Sequence, residues 1–299
     1  MNKLPVGQTI RFAYAFTFAE IGTVIGLIWI PTLINVLTGF FATRAYYQAA
    51  ADSMEGAVPM AGATVLLPFV TVLVSTLTLA MIGVSIVRQA LGLRKGPAFA
   101  HFSFGAAELR VFGGLFMLYM LLVLVIVVFV IATAGAAASA VLLGPAAGTA
   151  PAGIGIALAA LAGLGALFYV TIRLSFVMVP ASLESGAYGL TQSWELTKGN
   201  FWRIFAVGLT TLLPILLIVG LGEIAILGPD ILVPDLGTAK NQAANLHRMA
   251  AQLRAMQGHL PLLMGLSFVV SPLMYGLMFA PAAFAWRILS GKPATEHTA

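Results

Sequence analysis

Six long apolar runs, separated by short polar or broken segments, organise the chain: 17–41, 60–87, 112–143, 154–179, 202–227 and 262–289. A helix rises about 1.5 Å per residue, so each run can cross a hydrocarbon core of about 30 Å. The pattern predicts an all-α, polytopic bundle of six transmembrane helices. One integral-membrane domain covers 1–290, and 291–299 reads as a flexible tail. The first run exceeds the apolar core of a signal peptide and no small-residue cleavage site follows it before Arg44, so it reads as a retained helix. Gly144, Pro145, Gly148 and Pro151 break the third run from the fourth. Between the fifth and sixth, Leu246, Met249, Leu253, Met256 and Leu260 recur at steps of three and four, with Arg248, Gln252 and Arg254 off the stripe. This predicts a separate outer amphipathic helix over 238–260. The steps also fit a short heptad seam, but fewer than four heptads favour a helix on the outer leaflet or capping the bundle over a dimerisation helix.

Composition narrows the class. Of 299 residues, 60% are hydrophobic and 8% charged, whereas soluble domains carry about a quarter charged residues. A soluble globular domain is excluded, and the absence of cysteine excludes disulfides and thiolate metal sites. The net charge of +5 bears on topology and not on nucleic acid. Of the 15 Lys and Arg residues, 11 fall on one side of the six runs, and Arg44, Lys240, Arg248 and Arg254 on the other. By the positive-inside rule the richer side is cytoplasmic, which places both termini there.

The cytoplasmic connections mix basic and aromatic residues. Arg88 to Arg110 holds Phe99, Phe102 and Phe104; the N-terminal segment holds Lys3, Arg11, Phe12, Tyr14 and Phe16. Such segments suit helices lying in the membrane interface, with Trp194, Trp202, Phe102 and Phe104 as anchors. In Ala181 to Asn200, Ser182 reads as an N-cap, Lys198 as a last-turn cation, Gly199 as a left-handed stop and Asn200 as the cap of the next helix. Each aromatic-rich edge precedes a span ending its first turns in Gly-Leu (Gly26, Gly114, Gly208), so three copies of interfacial helix, span, span would account for six spans.

Candidates for chemistry are few. Glu20, Asn35 and Glu223 are the polar candidates within spans, and Arg173 sits at the cytoplasmic end of the fourth, where a snorkelling side chain is the simpler reading. No HExxH, GxSxG, P-loop or aspartyl dyad is present, and the four histidines are not spaced as metal ligands, so no catalytic, cofactor or metal site is expected. Small residues at four-residue steps (Gly155, Ala159, Gly163; Gly135, Ser139) predict close packing of spans three and four. Pro31, Pro68, Pro214, Pro272 and Pro281 lie within spans, where each kinks its helix or frees a carbonyl.

The stretch RLSFVMVPASLESGAYGLTQSWELTKGNFWRIF, from Arg173 to Phe205, resembles the membrane domain of glycerophosphoryl diester phosphodiesterases and related bacterial inner-membrane proteins. The resemblance rests on Arg173, Pro180, Glu184, Ser193, Leu196, Gly199 and Trp202, about a tenth of the chain. It implies a six-span protein of a bacterial inner membrane, without the soluble barrel that carries the phosphodiesterase chemistry. Arg173 and Glu184 are then expected to pair across the turn at Pro180. The functional expectation is a non-enzymatic protein that organises or handles lipid, with the bilayer, a membrane-protein partner or a second copy as its partners. A transporter or channel for an apolar or lipid-like solute is the alternative.

Overall fold

The computed structural model describes residues 3–56, 62–94, 101–142, 149–183, 189–228 and 242–291. Among these residues the fold is all-α. The helices are α1 (Val6–Ala19), α2 (Ile21–Met54), α3 (Gly62–Ala90), α4 (Ala106–Leu142), α5 (Thr149–Arg173), α6 (Met178–Leu183), α7 (Leu190–Leu196), α8 (Phe201–Leu227) and α9 (Gln242–Ser290). Six stretches are long and apolar enough to cross a membrane. The tail beyond 291 and the candidate Glu184 lie outside the described residues.

Three sequence expectations need correction. The amphipathic segment is not a separate outer helix. From Gln242 onward it is continuous with the sixth span, so α9 runs 49 residues. Pro261 sits within this helix and does not divide it. Second, α1 does not lie along the bundle surface. Phe12 stacks on Phe284 at 4.7 Å, Thr17 fills the space that a side chain on Gly276 would need, and Ala13 is buried with Ile215, Val270 and Leu277. Its aromatic and threonine residues, which suit an interface, are used between helices. Third, the described part of Arg88 to Arg110 adds no helix of its own, because Arg88 belongs to α3 and Arg110 to α4. The repeated unit therefore has a separate preceding helix in its first and third copies only, among the described residues.

α1 and α2 together run antiparallel to α9 along its length. One end is marked by Phe12 on Phe284, and the opposite end by Arg254, which reaches Glu55 at 2.6 Å and Asp52 at 3.3 Å. Gln257 adds a hydrogen bond to the Arg44 carbonyl. Midway, Asn35 accepts a hydrogen bond from Ser75 at 2.7 Å and also bonds Tyr275, so one amide ties α2, α3 and α9. The main core lies between α2, α3, α9 and the first turns of α4, around Val24, Ile28, Ile82, Ile86, Val111 and Trp286. The α4–α5 hairpin leaves this core early. Beyond Leu115 no described α4 side chain is buried, and α5 has none until Arg173. Phe129 lies flat against Gly163, the close approach expected of the small residues in spans three and four. Gly135 faces open space instead.

Prolines in the spans orphan carbonyls, and neighbours satisfy two of them. Pro272 has no N–H for the Phe268 carbonyl, which accepts from the Ser271 hydroxyl at 2.8 Å. Pro214 likewise frees the Thr210 carbonyl, and the Tyr14 hydroxyl donates to it from α1 at 3.0 Å. A helix defect thus becomes an interhelical bond. We predict that Tyr14→Phe lowers unfolding stability in detergent by about 1 kcal/mol. In a Pro214→Ala background, where residue 214 regains its N–H, the same change should cost little; equal costs in both backgrounds refute the coupling. At the opposite end of the bundle, the Arg254 hydrogen bond holds the Glu55 carboxyl below the usual carboxylate range. Its contribution is therefore full above that range and is lost as pH falls through the lowered value. The difference in thermal midpoint between wild type and Arg254→Gln should be present at neutral pH and vanish in acid.

Candidate functional site

The site begins where α5 stops. After Arg173 the chain makes a tight turn, enters the six-residue α6, and returns through α7 to α8. That break exposes backbone groups, and the Ser193 hydroxyl serves both sides of it. It donates to the Arg173 carbonyl at 3.1 Å and accepts from the Phe176 N–H at 3.2 Å. Thr197 donates to the same carbonyl at 3.0 Å. Gly189 precedes α7 at φ 79°, and a side chain there would collide with the Val177 carbonyl, so the return path is open only to glycine. Arg110 donates to the Ala181 carbonyl from α4. At the start of α8, Asn200 accepts from the Leu4 N–H at 3.0 Å, while Arg203 donates to the Leu4 carbonyl at 2.8 Å. The N-terminus, α4, α5 and α8 are thereby tied into one knot at this end of the bundle.

The sequence-selected residues fall mostly in this knot. Ser193 is its centre, Pro180 is buried in α6, Leu196 packs on the core, and Gly199 takes the expected positive φ of 77°. Arg173 does not snorkel. It is 5% exposed, with its guanidinium 4.4 Å from the Trp194 ring centroid and 5.9 Å from that of Tyr169. A desolvated cation–π contact of this kind is worth about 2 kcal/mol, which accounts for a buried Arg whose Nε has no hydrogen-bond partner. Ser182 is no N-cap: it lies inside α6 and donates to the Val179 carbonyl, while Gly189 takes the capping position of α7. Asn200 flanks α8 as expected but spends its side chain on Leu4. Trp202, Phe102 and Phe104 are exposed, as anchors would be. Asn35 joins the mid-span network, whereas Glu20 sits half-buried at the α1–α2 turn and Glu223 is exposed on α8; the structure does not bring these three together.

Above the knot lies an apolar cavity of about 320 Å³. Leu174 to Met178 form its floor, with walls from Leu79 on α3, Leu115 and Leu118 on α4, Val207 and Leu212 on α8, and Leu277 to Ala285 on α9. Among the described residues no charged side chain lines it. Four hydroxyls do: Thr171 donates to the Leu167 carbonyl, Ser175 to that of Ile172 and Thr211 to that of Val207, each turned back on its own backbone, and Tyr119 adds a phenol. Apart from that phenol the wall is apolar. The volume falls in the range of small-molecule sites, about 300–1,000 Å³, and cavities of this lining take apolar ligands rather than water. Sequence reasoning did not find it, because six separate segments supply its lining and no local motif marks any of them.

A second, polar cavity of about 130 Å³ opens at the ends of α3 and α4, lined by Ser85, Arg88, Arg94, His101, Ser103 and Glu108. Glu108 is a first-turn acid on α4 and accepts from Ser103 at 2.8 Å and from the Gly105 N–H at 2.9 Å. Burial, and next the Arg94 charge, hold His101 below the usual histidine value, so it is neutral at pH 7. No family model matches the chain, and no match is found among curated proteins or solved structures. Removing the Ser193 hydroxyl strands a buried N–H, a loss of about 1–3 kcal/mol. Ser193→Ala should lower chemical-unfolding stability by that amount, and an unchanged curve would show that the knot does not depend on it.

Proposed function

We propose that this integral membrane protein handles lipid, taking an acyl chain or a similarly apolar molecule into the cavity above the cytoplasmic knot. The observation that carries the reading is the cavity itself, about 320 Å³, with no charged side chain among its described lining residues and with the Thr171, Ser175 and Thr211 hydroxyls bonded to their own backbone. Support also comes from its surroundings. α5 meets the start of α8 through Phe168 and Tyr169 against Phe201 and Phe205, and beyond that ring cluster both helices expose apolar side chains such as Leu161, Leu164, Leu213 and Leu216. A lateral path between membrane and cavity would run there. The charge split of 11 to four supports placing the knot and both termini on the cytoplasmic side. The resemblance at Arg173 to Phe205 supports a bacterial inner membrane.

Gly208 lines the cavity and has open space where a side chain would project. Gly208→Leu fills that space and replaces a poor helix former, a gain of about 0.5–1 kcal/mol. The variant should be as stable as wild type or more so, yet retain less lipid after purification, measured by mass spectrometry of extracted lipid. Equal retention by both proteins would sink the proposal.

A further inference from the structure

Among the described residues, the Tyr119 phenol is the one side-chain hydroxyl in the wall of the apolar cavity that the fold does not use. Thr171, Ser175 and Thr211 spend theirs on their own backbone. A tyrosine hydroxyl stands at the far end of its ring and cannot turn back on its own helix as a threonine does. No hydrogen bond from a described residue reaches it, and Tyr275, which interacts with it, is already bonded to Asn35. Tyr119 lies one turn past Leu115, where α4 leaves the core, and its ring packs half-buried on that core. Phenylalanine would pack there equally well. A hydroxyl held away from water without a partner costs free energy that a bare ring does not, and buried tyrosines ordinarily find one. The cavity limits what that partner is. Its volume of about 320 Å³ holds about ten groups of ~30 Å³ each, enough for a single chain and not for a whole two-tailed lipid. With no charged side chain among the described lining residues, an ionised end group would enter unpaired, at high cost. A neutral oxygen enters at far lower cost, and a phenol can donate to it or accept from it.

Building on the reading that this cavity takes an apolar molecule, we propose that Tyr119 is its polar anchor and sets which molecule it takes. The occupant is a single hydrocarbon chain that carries one neutral oxygen, and that oxygen hydrogen-bonds the Tyr119 phenol. The apolar wall supplies most of the affinity, and the phenol fixes the depth and direction of the chain. Two sources offer this chemistry: the hydroxyl of a long-chain alcohol, or the ester carbonyl of an acyl chain. Ionised fatty acids and plain hydrocarbons are the chains that the site ranks below them.

The test uses the full chain in detergent and four probes of similar length: decane, decanol, methyl nonanoate and ionised decanoate. Each is titrated to matched mole fraction in the micelle, and the rise in thermal midpoint gives an apparent affinity. Gly208→Leu, with the cavity filled, measures the response that comes from the micelle alone. Wild type should bind decanol, methyl nonanoate or both about two- to tenfold more tightly than decane, the worth of one neutral hydrogen bond. Decanoate should bind more weakly than the preferred neutral probe. Equal responses to the ester and the alcohol identify an acyl carbonyl to which the phenol donates, and a response to decanol alone identifies a hydroxyl. In Tyr119→Phe the preference over decane should disappear. A merely structural phenol would instead lower the midpoint of Tyr119→Phe without any probe and leave the preference in place. That result overturns the anchor, as does tighter binding of decanoate. Equal binding of decane and both neutral oxygen probes by wild type also overturns it, while leaving the apolar cavity as a binding site. If no probe raises the midpoint beyond its effect on Gly208→Leu, the cavity reading and the anchor fall together.

Discussion

A backbone in hydrocarbon has no water to satisfy its polar groups, and this constraint shapes the protein wherever a helix is interrupted. Regular stretches of α2, α3 and α8 meet it by themselves. The interruptions do not, and at three described ones a side-chain hydroxyl supplies what the helix lost. Ser271 serves the carbonyl freed by Pro272, Tyr14 the one freed by Pro214, and Ser193 with Thr197 the end of α5. Two of these repairs cross between elements, so local backbone chemistry fixes tertiary arrangement. α1 is held beside α8 by one of them, and α7 beneath α5 by the other.

The apolar cavity follows from that arrangement. Because the chain turns sharply after Arg173, α5 ends short and the segment Leu174 to Met178 closes the space from below. α4 leaves the core after Leu115, and α8 meets α5 only near its own start, so nothing fills the volume between them. Charge is kept out by use rather than by absence. Arg110 and Arg203 are spent on carbonyls of the knot, and Arg173 is stacked on Trp194. Each cation sits beside the cavity floor, yet none points into it.

Much of the architecture was legible in the chain. Apolar run length alone identifies six spans, and the positive φ at Gly199 follows from a glycine after a helix end. The failures share a physical cause. Aromatics and basic residues near a span edge suit both an interface and a helix packed between others, and composition does not separate the two; α1 took the second course. The stripe over 238–260 reads as a separate helix because its polar face contrasts with the apolar span that follows, but packing against α2 carries α9 through Pro261 as one helix. Arg173 reads as snorkelling because its partner ring, Trp194, lies 21 positions away, in the second of two short helices. The two cavities were invisible for a stronger reason. A cavity is the space that several segments decline to fill, and no single segment carries a record of it.

The free-standing α4–α5 hairpin has a mechanical consequence. α4 has 37 residues, about 55 Å of helix. Even without its first three turns it exceeds a hydrocarbon thickness of about 30 Å. A helix that is too long for its bilayer tilts. The base of this one is fixed, through Arg110 and the residues packed around Val111, while no described side chain beyond Leu115 is buried. Tilt therefore swings the tip and not the base. The angle between the hairpin and α8 is set by membrane thickness as well as by protein contacts, and a thinner bilayer opens it while a thicker one draws it upright.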